Sequence, residues 1–150
     1  MKQLLIHITG LCVLAGCALS PEDQTAEDTA RQWAEAYFNF DYQRAAGLTA
    51  AEGIRWLRFA ASNTSQAELD LMAHQAASVD VEDVDTHSDR EYDTLRTVTL
   101  RVRPYVRPAL LGTEPALAEE GRFTLTVVRR DGRWLVRTEG LPRSERQSRD

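Results

Sequence analysis

The stretch GRFTLTVVRRDGRWLVRTE, residues 121 to 139, decides the fold. Phe123, Leu125 and Val127 alternate with Thr124 and Thr126, which is the period of a strand with one wet face. Asp131-Gly132 then supplies the two residues that best tolerate the left-handed backbone of a type I′ turn. A two-residue turn there pairs Arg130 with Arg133, Arg129 with Trp134 and Val127 with Val136. In that register Phe123, Leu125, Val127, Trp134 and Val136 share one face.

Working outward, the same alternation recurs twice upstream. Val98, Leu100 and Val102 alternate with Thr97, Thr99, Arg101 and Arg103, and Val79 and Val81 alternate with Asp80 and Glu82. If the acidic strand lies beside the arginine-bearing one, Asp80 or Glu82 opposes Arg101 or Arg103. Between the strands runs RPALLGTEPALAEEG, residues 107 to 121. Pro104 and Pro108 cannot donate ladder hydrogen bonds, so they mark an edge or a bulge. Leu110, Leu111 and Leu117 are apolar for a loop; they form either a flap over a cavity or, the commoner case, a satellite cluster packed on the core.

Before Ala77 the period is helical. Ala26, Ala30, Trp33, Ala34, Tyr37 and Phe38 follow the i, i+3, i+4 spacing of an amphipathic helix with an aromatic stripe. Asp41 is placed to cap a short second helix through Ala46, with Gly47 suited to a left-handed exit. Thr49 with Glu52 and Ser65 with Glu68 read as two capping boxes. The helix opened by the first carries Ile54, Trp56, Leu57 and Phe59 and is apolar around much of its circumference, so burial on more than one side is expected. Helices followed by antiparallel strands give an α+β domain, with N-terminal helices on a curved antiparallel sheet of about four strands.

Charge is uneven. Residues 17 to 89 carry four arginines against fourteen carboxylates, and residues 90 to 150 carry thirteen arginines against nine. Within one fold the two halves can lie side by side, which is a plainer account than an acidic partner. The only lysine is Lys2.

At the amino terminus, Met1 and Lys2 precede the apolar run LLIHITGLCVLA, of the length of a secretory h-region and short for a membrane span. Leu14-Ala15-Gly16-Cys17 directly behind it resembles the lipobox of bacterial lipoproteins. The resemblance implies a signal peptide over 1–16, cleavage before Cys17, a diacylglyceryl group on its sulfur, and a lipidated tether over 17–25. The plainer reading is an ordinary signal peptide with an incidental thiol. Cys12, within the h-region, leaves with the signal, so the mature chain has no disulfide and depends on packing. Anchoring by lipid implies a bacterial envelope address, and Ala18 after the cysteine leans toward the outer membrane, facing the periplasm. Nucleic acid is not an expected partner there. The tail from 141 to 150 has no apolar periodicity and is expected to be disordered.

ARQWAEAYFNFDYQRAAGL (30–48) resembles the opening helices of the nuclear transport factor 2-like superfamily, and the 121–139 hairpin is similar to its closing one, with a tryptophan just after the turn. For residues 26–140 the resemblance implies a cone with a pocket between helices and concave sheet. Its members include isomerases, dehydratases, hydrolases and non-catalytic docking modules, and homodimers are frequent, so fold does not choose function. Tyr37, Asp41, Trp56, Tyr105 and Trp134 are candidates to line a pocket, although aromatic residues at helical spacing are more often core. His74 and His87 read as solvated rather than catalytic. No catalytic dyad, phosphate loop or metal-ligand spacing is present, and no cofactor is expected. The leading expectation is a membrane-anchored, non-enzymatic module that binds a protein partner or small ligand. A small isomerase- or hydrolase-like enzyme and a structural part of an envelope assembly are the alternatives.

Overall fold

The computed structural model describes residues 24–75, 78–89, 91–109 and 113–145. Cys17, the signal region and most of the tether lie outside them, as do Leu110 and Leu111. Four helices come first: α1 (Ala26–Phe38), α2 (Tyr42–Gly47), α3 (Ile54–Asn63) and α4 (Gln66–Ala73). Six strands follow: β1 (Asp80–Ser88), β2 (Leu95–Arg103), β3 (Tyr105–Arg107), β4 (Ala116–Ala118), β5 (Gly121–Arg130) and β6 (Arg133–Arg137). The fold is α+β, with a curved antiparallel sheet in the order β1-β2-β5-β6 and a separate β3–β4 ribbon.

The closing hairpin has the expected register: Val127 faces Val136, Arg129 faces Trp134 and Arg130 faces Arg133, with Asp131 and Gly132 at positive φ. The acidic strand also finds its arginines. Asp80 pairs with Arg103 and Glu82 with Arg101, and Nε of Arg103 and an Nη of Arg101 reach the opposing carboxylates at 3.3 and 3.2 Å. A bulge between Asp83 and Asp85 shifts the register of β1 beyond that point.

The inner face of the sheet carries Val81, Val98, Leu100, Val102, Phe123, Leu125, Val127 and Val136, all buried. α1 lies across all four strands. Trp33 is fully buried beneath it and donates its indole N–H to Thr49 Oγ1 at 2.7 Å, while that hydroxyl donates to the Ala45 carbonyl at 2.7 Å.

Those bonds correct one expected capping box. Thr49 is turned into the core, a 3-10 turn (Ala51–Gly53) intervenes before α3, and Glu52 instead holds Arg130 through two N–H···O bonds. The buried indole outcompetes the helix end because an unpaired N–H in the core costs more than an exposed cap contributes. The second box is present: Ser65 Oγ accepts from the Glu68 N–H while the Glu68 carboxylate accepts from the Ser65 N–H. Asp41 caps α2 by accepting from the Arg44 N–H at 3.0 Å, but Gly47 stays within the helix, with no left-handed exit. α3 buries only Leu57 and Ala60, leaving Phe59 half exposed, so burial on several sides is also corrected.

In the 107–121 segment Leu110 and Leu111 lie outside the described residues, and Leu117 is half exposed rather than packed on the core. After a bend at Pro104 the chain forms the β3–β4 ribbon, against which α4 packs. The tail is described through Glu145 and does not lack structure there. Ser144 is buried and bridges Phe123, and the Glu145 N–H donates to the Arg122 carbonyl at 3.0 Å, so the chain returns along β5 beyond the end of β6.

Candidate functional site

The layers do not close completely. Between the C-terminal half of α1, helices α3 and α4, the β3 strand and the 139–143 loop lies a cavity of about 720 Å³. All four phenylalanines and three of the four tyrosines of the chain line it, together with Trp56. Periodicity alone does not produce that gathering, because the rings come from six different elements and turns.

The inner wall is a ring cluster. Phe38 and Phe123 lie 4.6 Å apart between centroids, and Tyr105 meets both edge-on at 5.5 and 5.2 Å. Gly121 makes this packing available: a Cβ there would stand 2.8 Å from ring carbons of both Phe123 and Tyr105. Tyr37 stacks on Trp33 at 4.9 Å behind it and meets Tyr42 edge-on at 5.7 Å.

The turn between α1 and α2 adds a strained member. Asp41 N–H bonds to Ala36 O at 2.9 Å and Phe40 N–H to Tyr37 O at 3.1 Å, which is the Schellman pattern of helix termination. Its left-handed position, ordinarily a glycine, is Phe40 at φ 61°. A bulky residue costs roughly 1–2 kcal/mol there. The side chain contacts Tyr42, with centroids 6.0 Å apart, and lines the cavity.

The polar groups of the wall divide into engaged and unengaged. Glu68 is 3% exposed, the only buried charged side chain among the described residues. Its Oε2 accepts from the Ser65 N–H and hydroxyl, and its Oε1 accepts from the Ala109 N–H at 3.1 Å, tying α4 to the chain just past β3. Tyr42 shares a hydrogen bond with Thr64 at 3.1 Å. By contrast, the Trp56 indole N–H is buried without a partner among the described residues. Tyr37, 9% exposed, forms no hydrogen bond among the described residues. Burial pushes the Tyr37 phenol well above its ordinary range, with Tyr42 and Glu68 adding to the shift, so it stays a neutral O–H. Arg107 and Arg143 stand exposed at the rim, while Glu139 beside them pairs with Arg137 at 3.6 Å.

Of the five residues singled out from sequence, Tyr37, Trp56 and Tyr105 meet in this cavity. Asp41 and Trp134 do not line it. Asp41 is an exposed helix cap turned to its own backbone, and Trp134 lies on the far hairpin between the guanidinium groups of Arg96 and Arg129, 5.4 and 5.9 Å from its ring. His74 is exposed, with Nδ1 2.5 Å from the Asp70 carbonyl, and His87 is exposed beside Asp85 at 2.8 Å. Sequence reasoning missed Phe40, Phe59, Glu68, Arg107 and Arg143 as wall residues. The one available signal was Asn-Phe-Asp closing an amphipathic helix where glycine is usual.

Helices on a curved antiparallel sheet, with an aromatic cavity between the layers, define the chain's class as an α+β cavity fold. No family model matches the chain, and no curated protein matches it.

Proposed function

We propose that this chain is a lipid-anchored envelope protein whose helix-covered cavity binds a small ligand without transforming it. The observation that carries the binding reading is the cavity itself. Its volume falls in the range of small-molecule sites, its wall is rich in aromatic rings, and its buried carboxylate is committed to three structural hydrogen bonds. A general base must be within reach of a substrate proton, and the Glu68 oxygens are occupied by donors of α4 and of the segment after β3. That favours binding over the isomerase- or hydrolase-like alternative.

The helices-then-sheet order and the cavity position support assignment to the nuclear transport factor 2-like cone. Leu-Ala-Gly-Cys17 behind its apolar run supports a diacylglyceryl anchor and an outer-membrane, periplasm-facing address. No helix among the described residues is long and apolar enough to cross a membrane. Two measurements test the two halves separately. Mass spectrometry of protein extracted from membranes should give a start at Cys17 with diacylglycerol and acyl mass added; an unmodified thiol removes the anchor. A thermal-shift screen with apolar-bodied small molecules should raise the midpoint for a subset, an effect lost in Trp56→Ala; a flat screen removes the ligand site.

A further inference from the structure

Resting on the reading of the cavity as a ligand site, we infer that its ligand is an organic acid. An apolar body sits among the aromatic rings, an acceptor atom points inward to the Tyr37 hydroxyl, and a carboxylate lies at the rim against Arg107 and Arg143.

Accessibility decides the sign of the charge. The inner charge of the wall, Glu68, is 3% exposed and its oxygens already hold three donors, so it has little left to offer a cation. The rim charges are accessible. Arg107 at the end of β3 and Arg143 in the loop after β6 are exposed, line the same cavity, and form no ion pair with a described residue. Glu139, which lines the cavity too, pairs with Arg137 at 3.6 Å and forms no ion pair with either rim arginine among the described residues. Guanidinium groups are suited to carboxylates through paired N–H donors. Ring faces attract cations, but a cation would have to pass two unpaired arginines to reach them.

The interior carries the second half of the recognition. The Trp56 ring lines the cavity, but its indole N–H is closed off from it, so the inner polar contact falls to Tyr37. Tyr37 is nine-tenths buried as a residue, and its hydroxyl forms no hydrogen bond among the described residues and is not closed off. A ligand carrying a carbonyl, ether or hydroxyl oxygen on its apolar body gives that hydroxyl a partner; a pure hydrocarbon does not.

The test uses the full chain in zwitterionic nanodiscs, titrated calorimetrically with three probes sharing one body: 2-naphthylacetate, 2-naphthaleneethanol and (2-naphthylmethyl)trimethylammonium. Empty discs supply the blank. The acid is expected to bind about ten-fold more tightly than the alcohol at low salt, with the cation weakest, and the advantage should shrink as salt rises. Arg107→Ala and Arg143→Ala together should bring the acid down to the level of the alcohol and leave the alcohol unchanged. An adjacent control, 2-naphthyloxyacetate, adds an ether oxygen and should gain affinity that Tyr37→Phe removes. Equal binding of acid and alcohol, preference for the cation, or an unchanged acid-to-alcohol ratio in the double variant overturns the organic-acid assignment while the cavity reading stands. Silence for all the probes overturns both.

Discussion

The two faces of the sheet solve the same problem differently. On the outer face polar side chains meet polar side chains: Thr99 and Thr124 hydroxyls lie 3.1 Å apart across β2 and β5, and Arg101 and Arg103 reach Glu82 and Asp80 across β1 and β2. On the inner face, near β3 and α3, rings crowd together but the Trp56 N–H and the Tyr37 hydroxyl are left unmatched, and Phe40 is held in a left-handed turn. On the outer face most polar groups find partners within the chain, Arg101 Nε being an exception, whereas at the cavity the Tyr37 hydroxyl has none among the described residues. The contrast separates parts built for stability from parts kept in spite of it.

The sharpest way to break the inner face from behind is Trp33→Ala. The ring is fully buried, backs Tyr37 and fixes Thr49, so its loss should cost about 3–5 kcal/mol in chemical denaturation. Gly121→Ala attacks the cavity wall directly. The new methyl would stand 2.8 Å from buried rings of Phe123 and Tyr105, so a destabilisation of about 1–3 kcal/mol is expected, together with loss of ligand-induced thermal shift. A Gly121→Ala protein as stable as the parent would show that these rings can yield, and the wall would then be less rigid than its ring contacts imply.

The faces also differ in how far sequence exposes them. Register was legible in the closing hairpin, where alternation assigns every side chain to a face and Asp131-Gly132 anchors the count; for the acidic strand, charge complementarity set Asp80 or Glu82 against Arg101 or Arg103 only on condition that the two strands are neighbours. The cavity was legible only in part. Tyr37, Trp56 and Tyr105 carry no mark distinguishing a wall ring from a core ring; what makes them a site is convergence of α1, α3 and β3. Trp134 has the same chemistry and ends on the other side of the sheet's length, under Arg96 and Arg129. Thr49 misled because its capping-box spacing says nothing of a tryptophan sixteen residues upstream competing for the hydroxyl. Arg143 was hidden in a tail without periodicity, ordered instead by backbone pairing at Ser144 and Glu145.

Phe40→Gly puts the stability-versus-function reading at risk in one experiment. Glycine relieves the left-handed backbone at the helix end but lengthens the list of unfolded conformations, so the net gain should be at most about 1 kcal/mol by denaturant midpoint. Binding of 2-naphthylacetate should weaken in the same variant. Lower stability with intact binding would mean that the Phe40 ring serves packing against Tyr42 rather than a ligand.

On the outer face the effects should be smaller. Exchanging Asp80 and Arg103, as Asp80→Arg with Arg103→Asp, preserves the pair and should restore most of what either single change removes, within about 0.2–1 kcal/mol and less at high salt. Single variants indistinguishable from the parent would show that alternation sets the register and the charges merely accompany it.

The smallest effect is expected at Asp83, next to the β1 bulge, where the acidic strand meets α1. Burial raises its carboxyl above the ordinary value of 3.8; Arg31 opposes the shift, and Glu27 and Asp28 reinforce it. A carboxyl that holds its proton more firmly when folded lets the folded state bind more protons between the two values, so stability falls as pH rises through that window and the penalty persists above it. Asp83→Asn should therefore raise the unfolding midpoint slightly at pH 7 and leave it unchanged near pH 3, where both states are protonated. The gain is small because the side chain keeps much of its solvent contact. A variant less stable at pH 7 than the parent would mean that attraction to Arg31 outweighs desolvation and the repulsion of Glu27 and Asp28, and would place this part of β1 with the charge-matched outer strands.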